Sequence, residues 1–354
     1  MFVHRLTGIE GKDGNPLNEK KYLRISNRRD VLKPFDTVWK TLLISQDTGR
    51  GIMKRAIALL RVASTLISVA ILGGCQTVQR PDWALPAGVT TLSANGYPVA
   101  YTERGSGPTV VLLHGALNDY RTWMSQMEPL SSRFRVVSIS LRHHYPEPWK
   151  GEGEFSLKLH ADDVTAFIER LGTGPVFLVG WSRGGTVAVE AARSRPDLVR
   201  KLVLADAVLF ELLQASSGAP SNDPGIKRAK ATEPYFRRGD MEGGLRFFVD
   251  DIFGPGAWNR LPEDQRQIRR ENAWTIVGQL GDVETVNCAD IGRFKMPVLL
   301  MEGEQSPPLL KRMRAAVQKC LPSARWVTIP KAAHQMHQMN PPAFNAALIE
   351  FLSE

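Results

Sequence analysis

Residues 176–185, VFLVGWSRGG, carry the strongest chemical signal in the chain, because Ser182 stands there in G-x-S-x-G. A short apolar run precedes the serine and the alanine-rich segment 186–193 follows it. That strand–turn–helix setting is what a serine nucleophile on a sharp turn requires. So tight a turn strains the backbone at Ser182, and side chains two residues either side would collide. Gly180 and Gly184 have none, and Gly185 lets the helix approach the strand. The raised hydroxyl then faces the positive end of a helix, where a developing anion is stabilised.

Acyl transfer needs further parts. Two backbone N–H groups must meet the oxyanion: one from Arg183, after the nucleophile, and one from the loop after the apolar run 109–113. There, in His114-Gly115-Ala116-Leu117, Ala116 is the expected donor and Leu117 the alternative, with His114 ordering the loop. A general base must reach over Ser182 from a late loop. His334 follows the run 324–330 by a short small-residue loop, and His337 is its rival.

The His-Gly loop, the serine elbow and the late histidine come in the order of the α/β-hydrolases. From about Val89 onward the chain resembles that family, and Ala333-His334 with a proline seven residues on resembles its histidine loop. The resemblance implies a mostly parallel sheet with helices on both faces, a helical lid, and no cofactor or metal. It also exposes a gap. The commonest layout places the triad acid in Gly-x-x-Asp after the next-to-last strand, but here that site reads Gly303-Glu-Gln-Ser306. Asp206, Glu302 and Glu304 are the candidates. Asp206 is preferred because it ends the run 199–206 and keeps the order Ser, Asp, His; the plainer reading is a helix cap at Ala207.

The elements that position these residues can be placed in outline. Asn95-Gly96 between two alternating runs signals a hairpin. Strands are expected at 109–113, 134–139, 176–180, 199–206, 297–302 and 324–330, with helices at 120–131, 156–171 and 341–352. Strands alternating with helices imply a parallel sheet covered on both faces. Between 207 and 290 the alternation stops. That polar, helical stretch contains Tyr235, Phe236, Phe247, Phe248, Phe253, Trp258 and Trp274, read mainly as the core of a lid over an apolar pocket.

The chain has 354 residues, 43% of them hydrophobic, and a formal charge of +9. Residues 1–74 account for +7, leaving +2 for the rest. The catalytic part therefore offers no basic patch that calls for nucleic acid. Met53-Lys54-Arg55, an apolar stretch to Leu72 and Gly73-Gly74-Cys75 follow the layout of a secretory signal. They resemble the bacterial lipoprotein signal, in which that cysteine is lipidated. The competing expectation is an uncleaved anchor, against which Arg61 within the apolar run counts.

The expected organisation is an upstream extension (1–52), signal (53–74), tether (75–88), hydrolase core (89–206), lid (207–290) and second core segment (291–354). The expected location is the bacterial envelope, lipid-anchored, with the outer membrane favoured by Gln76. Cys288 and Cys320 could pair there. Adjacent His143 and His144 are read as surface residues. Together these features lead to a serine hydrolase acting on a small-molecule carboxylic ester or related acyl compound. The alternatives are a non-catalytic binding module on the same fold, suggested by the gap at 306, and a cofactor-free peroxidase-type or carbon–carbon bond hydrolase.

Overall fold

Apolar runs that lack a polar alternation become the interior of one eight-stranded sheet. The computed structural model describes residues 81–217, 224–282 and 285–354. The proposed extension, the signal, Cys75 and most of the tether lie outside these residues. The strands are β1 (Thr90–Ala94), β2 (Tyr97–Arg104), β3 (Thr109–Leu113), β4 (Arg135–Ile139), β5 (Val176–Trp181), β6 (Val199–Ala205), β7 (Val298–Gly303) and β8 (Arg325–Ile329). Their order is β1-β2-β4-β3-β5-β6-β7-β8, antiparallel from β1 to β4 and parallel thereafter. Every residue of β3, β5 and β7 is buried, as strands covered on both faces must be. The β1–β2 hairpin turns at Asn95 and Gly96, both at positive φ.

The helices are α1 (Met124–Ser131), α2 (Leu157–Leu171), α3 (Arg183–Ser194), α4 (Phe210–Ser217), α5 (Pro224–Arg237), α6 (Met241–Phe253), α7 (Ala257–Arg260), α8 (Glu263–Glu271), α9 (Thr275–Gly278), α10 (Cys288–Gly292), α11 (Pro308–Cys320), α12 (Met336–Met339) and α13 (Pro341–Ser353). Local chemistry sets several of their ends. Ser156 accepts the Leu159 N–H at the start of α2, and Gly172 ends it at φ 66°. Asn340 caps α13, whose first turn holds two prolines. One core, with Val164, Phe167, Val187 and Leu202, lies under α2 and α3. A second, with Trp123, Leu130, Phe344 and Phe351, lies under α1 and α13.

Helices α4 to α9 form the inserted region. Its own core contains Phe236, Phe248 and Trp258, packed by Tyr235, Phe253 and Trp274. Most of the lid aromatics thus hold the lid together, as the sequence suggested. A disulfide joins Cys288 on α10 to Cys320 at the end of α11, with Cα atoms 5.1 Å apart. Among the described residues, no helix is long and apolar enough to cross a membrane.

Candidate active site

The carboxyl ends of β3, β5, β6, β7 and β8 meet at one rim of the sheet, where the strand order reverses between β3 and β5. That reversal leaves a crevice above the strand ends, the usual ligand position in open α/β sheets. Ser182 sits there at φ 56°, ψ −126°, between β5 and the start of α3. A side chain at Gly180 or Gly184 would clash with backbone: a Cβ on Gly180 would lie 2.4 Å from Gly184 O, and one on Gly184 2.4 Å from His114 O. A Cβ on Gly185 would lie 2.5 Å from that of Ala207, so this glycine admits the loop after β6 rather than the strand itself.

His334 Nε2 lies 3.0 Å from Ser182 Oγ. Its other ring nitrogen, Nδ1, lies 3.3 Å from Asp206 Oδ2. Asp206 is 2% exposed and held at φ 41° by its N–H bond to Met301 O. It caps no helix, since α4 begins only at Phe210. The other acids are engaged elsewhere: Glu302 Oε2 pairs with Arg314, and Glu304 Oε2 accepts the Lys331 N–H. Ser306, at the gap, donates its hydroxyl to Asp206 Oδ2 and accepts the Gly303 N–H. The rival histidine, His337, is fully buried between Trp123 and Trp181, both ring nitrogens lacking a hydrogen-bond partner among the described residues. Burial pushes its imidazole down to about 3, with the neighbouring His334 adding to the effect.

The loop after β3 is fixed by His114. The Leu141 N–H donates to its Nε2, so Nδ1 carries the proton and donates to Gly115 O at 2.9 Å. In a trans peptide the C=O and N–H point opposite ways, so this bond turns the Ala116 N–H away from His114. A Cβ on Gly115 would lie only 2.9 Å from Ser182 Cβ, which places the same peptide against the serine. Burial lowers the His114 imidazole to about 4, so it stays a neutral strut. The Arg183 N–H, at the first position of α3, has no acceptor one turn earlier in its helix. Leu117, the alternative donor, takes φ 60° at the bend of the loop.

Some of the wiring was not foreseen. Arg183 was expected to contribute only its N–H, yet its side chain forks onto Asp282, with Nε–Oδ2 and Nη2–Oδ1 both 2.7 Å. Its Nη1 lies 2.9 Å from His160 Nδ1. Asn272 and Glu271 of the inserted region likewise meet Asp119 and Arg121 of the core. Bidentate forks of this kind fix orientation as well as distance. The surface reading of His144 is corrected: it is 2% exposed, because its ring packs edge-on against His114 at 4.6 Å. Burial drives it, and His160 beside it, well below the ordinary imidazole range.

Ser182 and His334 open into a cavity of about 220 Å³ with Leu157, Val208, Phe248, Ile252 and Leu310 in its walls. A smaller cavity of about 50 Å³ adjoins them, with Ala116 and Leu117 in its lining. Among the described residues, no cluster of His, Cys, Asp or Glu could hold a metal ion.

The sequence model described as "Alpha/beta hydrolase family" matches residues 110–347. The chain belongs to the alpha/beta hydrolase family. Among its hydrolase relatives is the 2-(acetamidomethylene)succinate hydrolase of Mesorhizobium japonicum, 26% identical over 71% of this chain and 90% of that protein. Another is the pimeloyl-[acyl-carrier protein] methyl ester esterase of Aeromonas hydrophila, 28% identical over 72% of this chain and 99% of that one. Among solved structures, an esterase from Thermogutta terrifontis superposes with a TM-score of 0.61 at 24% identity, covering 76% of this chain and 98% of its own. A hydrolase from Pseudomonas aeruginosa gives 0.64 at 22%, covering 76% and 100%. This alpha/beta hydrolase has the family's parallel sheet, and the carboxylate that lies beside His334 is that of Asp206, just after β6.

Proposed function

We propose that this chain is a serine hydrolase of a carboxylic ester or a related small acyl compound. The observation that carries the reading is the line Asp206–His334–Ser182, opening into a largely apolar cavity. His334 Nε2 takes the hydroxyl proton as Ser182 Oγ attacks the carbonyl carbon. The tetrahedral oxyanion is received by the N–H groups of Ala116 and Arg183. Collapse expels the alcohol with the proton from His334, leaving an acyl-serine. Water, deprotonated by the same imidazole, then releases the acid and restores Ser182. Asp206 holds the imidazole in the tautomer this requires and stabilises its cation. The site works without metal or cofactor in this reading.

The chain is further read as an exported protein, lipidated at Cys75 and held at the bacterial outer membrane. The Cys288–Cys320 disulfide supports an oxidising compartment, because such bonds are rare where thiols are kept reduced. A fluorophosphonate probe tests the nucleophile: it should label the wild type and spare Ser182→Ala. A series of esters of increasing acyl length then tests the apolar cavity. Absence of both labelling and turnover in folded wild-type protein would leave a binding module as the better reading.

A further inference from the structure

Three arginines line the two cavities beside Ser182, and two of them are already neutralised. Arg183 forks onto Asp282, and Arg228 pairs with Asp251 at 2.6 Å. Arg269 of α8 lines the smaller cavity and is only 3% exposed. Its Nη1 donates to Gln265 O at 2.6 Å and to Gln265 Oε1 at 3.1 Å. Among the described residues, no carboxylate pairs with it. Asp264 acts on it through space from an exposed position. That influence does not offset burial, which lowers the guanidinium to about 10.

A buried cation without a counter-charge is strongly disfavoured. Nothing in the fold asks for that cost, since the bonds to Gln265 stay within one turn of α8. We propose that Arg269 recognises a carboxylate carried by the substrate, seated in the smaller cavity beside Ser182. The inference rests on the reading of Ser182 as the nucleophile. Phe248, Val249 and Phe253 wall the cavity, and a guanidinium–carboxylate bond gains strength where water is excluded. About 50 Å³ suits a group of a few heavy atoms and not a chain. The larger cavity, whose charges cancel, takes the apolar part of the same molecule. The substrate class is therefore an acyl compound with one free carboxylate a few bonds from the scissile carbonyl.

The test separates binding from turnover. Ser182→Ala protein is titrated calorimetrically with monomethyl glutarate against methyl pentanoate, placing the charge on the acyl side. It is then titrated with 3-acetoxypropanoate against propyl acetate, placing the charge on the leaving group. The charged member of at least one pair should bind tenfold or more tighter. Ser182→Ala/Arg269→Gln should lose that preference, and Ser182→Ala/Arg269→Lys should keep part of it. Equal binding within both pairs would overturn the proposal, and so would a preference that survives Arg269→Gln. The ester comparison needs no Arg269 variant and so stands even if one fails to fold. Wild-type turnover of propyl acetate reports the hydrolase reading separately. Preferential binding without any turnover would sink the hydrolase and keep the carboxylate site.

Discussion

Ser306 donates its hydroxyl to Asp206 Oδ2, the same carboxylate oxygen that lies 3.3 Å from His334 Nδ1. A residue of the loop after β7 thus orients an acid that stands just after β6. The other oxygen, Asp206 Oδ1, is buried with no partner among the described residues, so Ser306 and His334 hold the carboxylate by one oxygen.

Asp206→Asn should lower ester turnover by roughly 10⁴ while the fold persists, because the amide favours the wrong histidine tautomer. Ser182→Ala and His334→Ala should each cost several powers of ten, since members of such a unit do not act additively. Steady-state kinetics with circular dichroism as the fold control checks all three. Normal turnover in Ser182→Ala would refute the assignment.

The Ser306 contact makes a finer prediction. Ser306→Ala should lower kcat by about tenfold with KM little changed, the loss of one charge-assisted hydrogen bond of about 1.5 kcal/mol or more. Ser306 already touches the oxygen that faces the imidazole, so a carboxylate at 306 would stand next to that position. Ser306→Asp on the Asp206→Asn background should therefore regain part of the lost turnover. A double variant no faster than Asp206→Asn alone would show that Ser306 is too far displaced to act.

The buried imidazoles make stability depend on pH. His114 and His337 are pushed down to about 4 and about 3, and His144 and His160 are also lowered, all chiefly by burial. The native state keeps them neutral while the unfolded chain takes up protons near pH 6.5. Their stabilising effect is full above that pH and is lost as pH falls toward 4. For His114 and His337 the loss between pH 6.5 and pH 5 is about 1.6 kcal/mol apiece. His337→Phe should lessen this acid loss in urea titrations at pH 7 and pH 5. At pH 7 it should be at least as stable as wild type, because it removes two unpartnered nitrogens. It should also keep its turnover, whereas a collapse of activity would return His337 to consideration as the base.

Breaking the disulfide should destabilise without touching the chemistry. The bond spans 32 residues and ties α10 to α11. Cys288→Ala/Cys320→Ala should lower unfolding free energy by about 2–4 kcal/mol. Wild-type denaturant melts in reductant should match the variant, and those without reductant should lie at higher denaturant. An unchanged midpoint in both would mean the pair is not bonded in solution.

Expression from Met53 should give a detergent-partitioning protein labelled by fatty acid, and Cys75→Ser should lose the label. Stable anchoring needs more than one acyl chain, so mass spectrometry should find several. Soluble wild-type protein that retains residues 53–74 would exclude the anchor.

Ser182 and His334 were legible in the sequence because local chemistry marks them. Glycines at 180 and 184 have no other use in a strand–helix turn, and a histidine after a final apolar run lies where the strand ends converge. The sheet was legible for a similar reason, since strands buried on both faces read as unbroken apolar runs. The acid was narrowed to three candidates, with Asp206 preferred among them. One residue of register decides whether a carboxylate at a strand end faces the histidine or the opposite face, and sequence does not encode that rotation. Lid wiring was least visible. Arg183 with Asp282, Asp119 with Asn272, and Arg269, which meets no carboxylate among the described residues, depend on how separate helices settle on the rim. Side chains 99 and 153 residues apart meet there with no shared local pattern. Periodicity reports which face of a helix is apolar, and only tertiary packing decides which charges that face brings together.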